Sequence, residues 1–136
     1  MSASDALTLG KEERISSRKL IDMLFNGGQS RSMAAFPLRL VYMENVREGA
    51  CPPAQLLVSV PKRCFKRAVK RNRVKRQVRE AYRHHKYLIW NVLPADRQLA
   101  LAFIWLDDRL YDTAEVEQRV ASLLERLTEK VTGSQR

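Results

Sequence analysis

The segment from Lys66 to Lys86 constrains the fold more than any other part of this sequence, because it combines dense positive charge with regularly spaced apolar positions. Ten of its 21 residues are Lys or Arg, and its only acidic residue is Glu80. On a helix with 100° per residue, an apolar arc of about 120° is centred near Val74. The residues of this arc are Val74, Val78, Ala81, Tyr82, His85, Leu88 and Ile89. A disordered arm would not separate the two kinds of residue so cleanly, so the segment predicts a long helix, over roughly residues 67–89, that docks on a sheet.

The neighbouring sector of the same helix is predicted to be a positively charged stripe. In angular order, the stripe consists of Lys75, Lys86, Arg79, Asn72, Arg83 and Arg76. Its like-charged neighbours at i,i+4 spacing repel each other by about 0.2–0.5 kcal/mol per pair. A bound polyanion would relieve that repulsion, so the stripe favours a polyanion-binding face over an ordinary soluble face. Arg71 projects over the docking arc, and whether it faces the partner or the sheet stays open.

The placement of the charge supports the same hypothesis. The net charge is +10, and residues 62–86 hold 12 of the 25 basic residues but one of the 15 acidic residues. The remainder of the chain, with 13 basic and 14 acidic residues, is close to neutral. A surface that binds nucleic acid concentrates positive charge in this way.

The rest of the chain predicts a small α+β or α/β sandwich in one domain, residues 1–136, with frayed ends at about 1–12 and 132–136. A helix is expected at residues 16–28, capped by Ser16 or Ser17 and stopped by Gly27-Gly28. Strands are expected at 34–43, 54–61 and 99–106, and a last helix at Ala114–Val131. Pro37 indicates an edge position or the beginning of a strand.

Location and metal chemistry are constrained mainly by what the sequence lacks. It has neither a signal-peptide pattern nor an apolar run of about 18 residues, so a cytoplasmic protein without a membrane partner is predicted. Cys51 and Cys64 are expected to be reduced thiols. His84-His85 lacks the i,i+4 spacing of a metal pair, and His85 is expected to pack against the core. Asp107-Asp108 is predicted to be solvated or capping, so no metal site and no catalytic group are predicted.

Among polyanions, RNA or single-stranded nucleic acid is favoured. Arg outnumbers Lys in the basic helix, and its planar fork suits bidentate phosphate contacts. A strand, not a helix, precedes this helix, which disfavours a helix-turn-helix DNA reader. Phe36 is expected either in the core, which is the favoured alternative, or on a face that stacks a nucleotide.

The run from Ala68 to Glu80 resembles the signature of the bacterial ribonuclease P protein subunit, Ala-Val-x-Arg-Asn-Arg-x-Lys-Arg-x-x-Arg-Glu. The matching residues are Ala68, Val69, Arg71, Asn72, Arg73, Lys75, Arg76, Arg79 and Glu80. The preceding strand with the basic pair Lys62-Arg63 and the order of the flanking helices and strands are also similar to that family.

The resemblance implies an α+β two-layer sandwich, α-β-β-β-α-β-α, with a small central sheet and an unusual left-handed β-α-β crossover. It also implies a subunit of an endoribonuclease holoenzyme. The protein would bind the catalytic RNA and the 5′ leader of precursor tRNA, and the RNA with Mg²⁺ would remove the leader. No cofactor bound tightly by the protein and no DNA partner are expected.

Two groups of site residues are expected. The predicted RNA-binding residues are Lys62, Arg63, Lys66, Arg67, Arg71, Asn72, Arg73, Lys75, Arg76, Arg79 and Arg83. The resemblance places a leader cleft at Ile21, Phe25, Phe36 and Arg39. Family members often carry aromatic residues where this chain has Ile21 and Arg39, which favours phosphate contact over base stacking here.

Three other functions are alternatives to a ribonuclease P subunit, and the sequence bears on each of them differently. A ribosomal or RNA-assembly protein would share the basic helix but have no processing role. A self-sufficient protein nuclease is disfavoured because the sequence lacks an acidic cluster. A DNA-binding regulator is disfavoured by the absence of a preceding helix.

Overall fold

The computed structural model describes residues 13–15, 17–46 and 52–134. Within them the order of elements is helix, three strands, helix, a short helix, strand and helix, which confirms the predicted α+β order. The helices are α1 (Arg18–Asn26), α2 (Ala68–His85), α3 (Tyr87–Trp90) and α4 (Thr113–Ser134). The strands are β1 (Arg31–Ala35), β2 (Leu38–Val46), β3 (Ala54–Ser59) and β4 (Arg97–Trp105).

The first predicted strand is a β-hairpin in the structure. A turn at Phe36-Pro37, which contains a cis peptide bond, separates β1 from β2. The two strands pair antiparallel, with Ala35 opposite Leu38 and Arg31 opposite Tyr42. The sequence pattern missed the turn because Phe36, Leu38 and Leu40 alternate regularly across it. Pro37 fits the turn because proline has no backbone N–H to donate to a neighbouring strand, and a turn requires no such hydrogen bond.

The four strands form one mixed sheet in the order β1-β2-β4-β3. β2 and β4 are antiparallel, whereas β3 and β4 are parallel and are joined through α2 and α3. The left hand expected for this crossover stays a prediction. The segment before α1 adds to the β3 edge, because Arg14 forms a parallel bridge with Leu56, and Ile15 N donates to Leu56 O at 2.9 Å.

The larger core lies between one face of the sheet and helices α2 and α4. Alternation along β4 sends Leu101, Phe103 and Trp105, all fully buried, into this core. The opposite face of the sheet has a smaller apolar cluster, in which Leu24 of α1 packs with Val41 and Ala102. The sheet and the α2–α4 layer thus form the sandwich, and α1 covers part of the free face.

Both ends of α1 follow the sequence prediction. Ser17 caps the helix, since its Oγ accepts from Leu20 N at 3.3 Å. Gly27 N donates to Met23 O at 3.0 Å, and a Cβ at Gly27 would meet that oxygen at 2.5 Å. Gly28 has φ +77°, a conformation that glycine adopts without strain. The two glycines therefore end the helix and turn the chain toward β1.

The remaining predictions have mixed outcomes. α4 extends through residues 132–134, which were expected to be frayed, and Thr132 Oγ1 donates to Thr128 O in its last turns. Residues 1–12 and 135–136 lie outside the described part of the chain. Cys64 is a buried free thiol, as predicted, whereas Cys51 lies outside the described residues.

Candidate nucleic-acid interface

The docking arc is confirmed within α2, with one addition. The predicted helix over 67–89 ends earlier, at His85, and of the two arc residues that fall in α3, Ile89 is buried but Leu88 is exposed. Val74, Val78, Ala81 and Tyr82 are buried, as the spacing predicted. Gln77 is buried as well, and its Nε2 donates to Tyr111 O at 3.0 Å and to Thr113 Oγ1 at 3.2 Å. This amide ties α2 to the start of α4, so the helix is fixed on both the sheet and its neighbour.

The predicted RNA-binding residues outside that arc reach solvent together. The exposed members are Lys62, Arg63, Lys66, Arg67, Asn72, Arg73 and Arg76. The half-buried members are Arg71, Lys75, Arg79 and Arg83. We call this set the basic surface; it runs from the loop after β3 along the outer side of α2. Among the described residues, Glu80 is the only carboxylate within the α2 part of this surface.

Lys86 does not belong to the basic surface, so its assignment to the stripe was wrong. Its side chain is 2% exposed, and its Nζ lies 2.8 Å from Glu13 Oε1. The same Nζ lies 4.5 Å from the centre of the Trp90 ring. Glu13 is also buried. The projection of an isolated helix predicts that Lys86 faces solvent. In the fold, the segment before α1 that carries Glu13 covers this side chain.

Arg71 faces the loop that leads into α2. Its Nη1 donates to Phe65 O and to Lys66 O, both at 2.8 Å. These bonds hold the backbone of the loop against the first turn of the helix. Arg71 therefore orders the region that presents Lys66 and Arg67, and its own contact with RNA stays a prediction.

The C-terminal end of α2 is less positive than its start. Arg83 Nη2 lies 2.7 Å from Glu80 Oε2, which partly compensates its charge. His84 and His85 both approach Glu117 Oε1 on α4 at 3.2 Å. His85 is half-buried on the side toward α4, which agrees with a packed histidine. The uncompensated charge of the basic surface thus lies between Lys62 and Arg79.

Sequence reasoning missed Arg14, which the fold brings next to Arg79. Burial lowers the pKa of Arg79, and the positive charge of Arg14 lowers it further. Arg14 is exposed and is held in place by its bridge to Leu56 on β3. The two residues are far apart in the chain, so no local pattern could have joined them.

A groove lies between α1 and the free face of the sheet, with a volume of about 260 Å³. Its lining includes Phe25, Arg31, Arg39 and Ile104. Phe25 is 42% exposed, and Arg39 Nη2 lies 3.4 Å from Ser32 Oγ on the neighbouring strand. We call this space the α1 groove. It brings together two of the four residues predicted for the leader cleft.

The other two predicted cleft residues lie differently. Ile21 is half-buried and packs against the apolar cluster beneath α1. Phe36 lies in the β1–β2 turn with its side chain 59% exposed, so the expectation that it is a core residue was wrong. The turn places Phe36 at the end of the sheet from which the loop after β3 also departs. Its part in leader binding stays a prediction.

The described residues also bear on metals and membranes. No group of three or more His, Cys, Asp or Glu side chains in this part of the chain is arranged to hold a metal ion. Asp107 instead accepts hydrogen bonds from Tyr111 Oη at 2.7 Å and from Asp108 N, and the bond from Tyr111 is the main reason that its pKa is lowered. None of the described helices is long and apolar enough to span a membrane.

Residues 9–128 match the family model of ribonuclease P. The ribonuclease P protein component of Porphyromonas gingivalis is 40% identical over 136 residues, which cover 98% of this chain and 96% of that protein. The chain belongs to the ribonuclease P protein family. A second relative, the ribonuclease P protein component of Chlorobium phaeobacteroides, is 34% identical over 99 residues, or 71% of this chain and 66% of that protein.

Solved ribonuclease P proteins share the fold. The protein from Thermotoga maritima superposes with a TM-score of 0.61 at 22% identity, covering 84% of this chain and 96% of that one. A Staphylococcus aureus RNase P protein mutant with defective mRNA degradation activity gives a TM-score of 0.64 at 19% identity, covering 86% and 89%. As a member of this family, the chain is the RNA-binding protein subunit of ribonuclease P, an endoribonuclease that acts in tRNA 5′ processing.

Proposed function

We propose that the basic surface binds the catalytic RNA of ribonuclease P and that the α1 groove holds the single-stranded 5′ leader of precursor tRNA. The observation that carries this proposal is the position of the groove beside the basic surface. Arg39 of β2 and Ser59 of β3 both pair with Ile104 of β4, which lines the groove. β3 then continues directly into the basic loop that begins at Lys62.

The basic surface suits a folded RNA because it offers many guanidinium groups on a rigid helix. Arginine forms paired hydrogen bonds to phosphate oxygens, and neutralised phosphates release counterions. Arg71 and the docking arc fix the helix and its loop, so little conformational entropy is lost on binding. The individual contacts of these residues remain part of the proposal.

The α1 groove suits one nucleic-acid strand. Phe25 offers an exposed ring on which a base can stack, and Arg39 offers a positive charge to a phosphate. Since Arg39 stands where family members often have an aromatic residue, phosphate contact carries a larger share of the binding here. The protein supplies position and charge, and we assign the phosphodiester chemistry to the RNA with its Mg²⁺ ions. The cytoplasmic location stays a prediction.

Truncation of Phe25 tests the groove. We expect Phe25→Ala to weaken holoenzyme binding of precursor tRNA by about 1–3 kcal/mol, the usual loss for one base–aromatic stack. Binding of mature tRNA, which has no leader, should not change. Met23→Ala is the matched control, because Met23 lies on the same helix with 38% of its side chain exposed.

Arg39→Ala should act through charge instead. It should make the dependence of log K on log[salt] shallower by about 0.7 for precursor tRNA, whereas Phe25→Ala should leave that slope unchanged. Equal losses for precursor and mature tRNA in both variants would show that the groove does not hold the leader.

A further inference from the structure

A second pocket lies at the end of the sheet opposite the Phe36 turn and the basic loop. Its volume is about 290 Å³, and its charged lining residues are Arg31, Glu44, Arg97 and Lys130. They come from the start of β1, the second half of β2, the first residue of β4 and the C-terminal part of α4. We call it the distal pocket.

The distal pocket has an excess of positive charge. Three cationic side chains face one carboxylate, and none of the three forms an ion pair within the described part of the chain. Positive groups that converge on a pocket without such partners raise the local potential and attract anions. Arg97 and Lys130 are exposed, and neither forms a side-chain hydrogen bond to another described residue. Nothing in the fold therefore accounts for their convergence.

Arg31 makes the distal pocket continuous with the α1 groove, because it lines both. Along β2, the groove contains Arg39 and the pocket contains Glu44. At about 3.3 Å per residue, these positions are roughly 17 Å apart along β2, and strand alternation puts Arg39 on the face covered by α1 but Glu44 on the face covered by α4. Because β1 is an edge strand, the groove on one face and the pocket on the other meet around that edge at Arg31.

We propose that the distal pocket binds backbone phosphates of the 5′ leader, upstream of the nucleotides held in the α1 groove. This inference rests on the proposed function of that groove. A leader that leaves the groove reaches Arg31 at the β1 edge and, by passing around that edge, the side chains of Arg97 and Lys130 on the other face. Guanidinium and ammonium groups recognise phosphate and not base identity, so the pocket extends the binding site without adding sequence preference.

The test uses the holoenzyme and precursor tRNAs whose leaders lengthen one nucleotide at a time. The variant is Arg97→Ala/Lys130→Ala, which leaves Arg31 and the groove intact. For long leaders we expect an affinity loss of about tenfold at about 0.15 M salt, and a salt dependence that is shallower by about 1.4, or 0.7 for each lost phosphate contact. For mature tRNA and for leaders that end within the groove, we expect no change.

Two further variants sharpen the test. Glu44→Gln removes the one carboxylate and should strengthen binding of long leaders about threefold. Arg109→Ala removes an exposed arginine from the turn after β4, at the other end of the sheet, and any effect should not depend on leader length. Urea unfolding of each variant should give the wild-type midpoint, since all these side chains are exposed.

The outcomes separate this inference from the function on which it rests. A loss that appears only above a threshold leader length supports the distal site. An equal loss for every tRNA, including mature tRNA, overturns it, because the pocket would then contact some other RNA. No loss at any length, with wild-type preference for precursor retained, overturns the distal site alone. If the wild-type holoenzyme binds precursor and mature tRNA equally, the groove assignment fails and the distal site fails with it.

Discussion

Replacing Lys86 by methionine is expected to lower the free energy of unfolding by about 3–5 kcal/mol, the usual result of breaking a buried ion pair from one side. The side chains of Lys86 and Glu13 are 2% and 8% exposed, and their charged atoms lie 2.8 Å apart. Methionine retains most of the apolar volume of lysine beside Trp90, so the loss reports on the charge. Without Lys86, the Glu13 carboxylate would be buried without its partner.

Urea unfolding with a constant m-value is the measurement. The double variant Glu13→Gln/Lys86→Met should regain most of the lost stability, because removing both charges of a buried pair is often close to neutral. Lys70→Met is the matched control, at an exposed position of α2, the helix that ends directly before Lys86, and should change stability by less than about 0.5 kcal/mol. A loss below about 1 kcal/mol for Lys86→Met would contradict the buried pair.

Reversing two charges on the basic surface is expected to weaken binding of the catalytic RNA by about 3 kcal/mol, or on the order of 100-fold. Arg73→Glu/Arg76→Glu replaces two exposed cations by anions that repel the phosphates. Each change alone should weaken binding by more than about 1.4 kcal/mol. The wild-type slope of log K against log[salt] should be about −4 to −5 if about six cations neutralise phosphates, and the double variant should be shallower by at least about 1.4.

A control with the same change in net charge distinguishes placement from total charge. Lys19→Glu/Arg109→Glu alters two exposed residues that lie outside the basic surface, on α1 and in the turn after β4. It should weaken binding much less than Arg73→Glu/Arg76→Glu, because neither residue is among those proposed to contact the RNA, and salt screens charges that are not in contact. Equal losses in the two double variants, or a wild-type slope near −1, would exclude the basic surface as the interface.

The sequence predicted those features that depend on regular spacing within one element. The apolar arc of α2 and the caps of α1 agree with the structure because helical periodicity and glycine stops are local properties. The β1–β2 turn was missed because Phe36-Pro37 lies within an alternating pattern that continues through it. Gln77 was missed because its burial depends on the start of α4 and the turn before it, where Tyr111 lies 34 residues further along the chain.

As with the fold, only part of the candidate site could be predicted from the sequence. The basic surface could be predicted from charge density and helical projection, whereas Phe25 and Arg39 were assigned from the family resemblance. Lys86 was misplaced because a projection omits the N-terminal segment that carries Glu13. Arg14 and Arg31 could not be assigned, since their positions beside Arg79 and between two cavities follow from strand pairing.

Reconstituted cleavage tests the central claim most directly. The rate of 5′ leader removal from precursor tRNA is measured with ribonuclease P RNA at low Mg²⁺, with and without the protein. We expect wild-type protein to stimulate cleavage by the RNA, Arg73→Glu/Arg76→Glu to require a much higher protein concentration for the same rate, and the protein without RNA to leave the precursor intact. Absence of stimulation by the wild-type protein, or cleavage by the protein without RNA, would contradict the account.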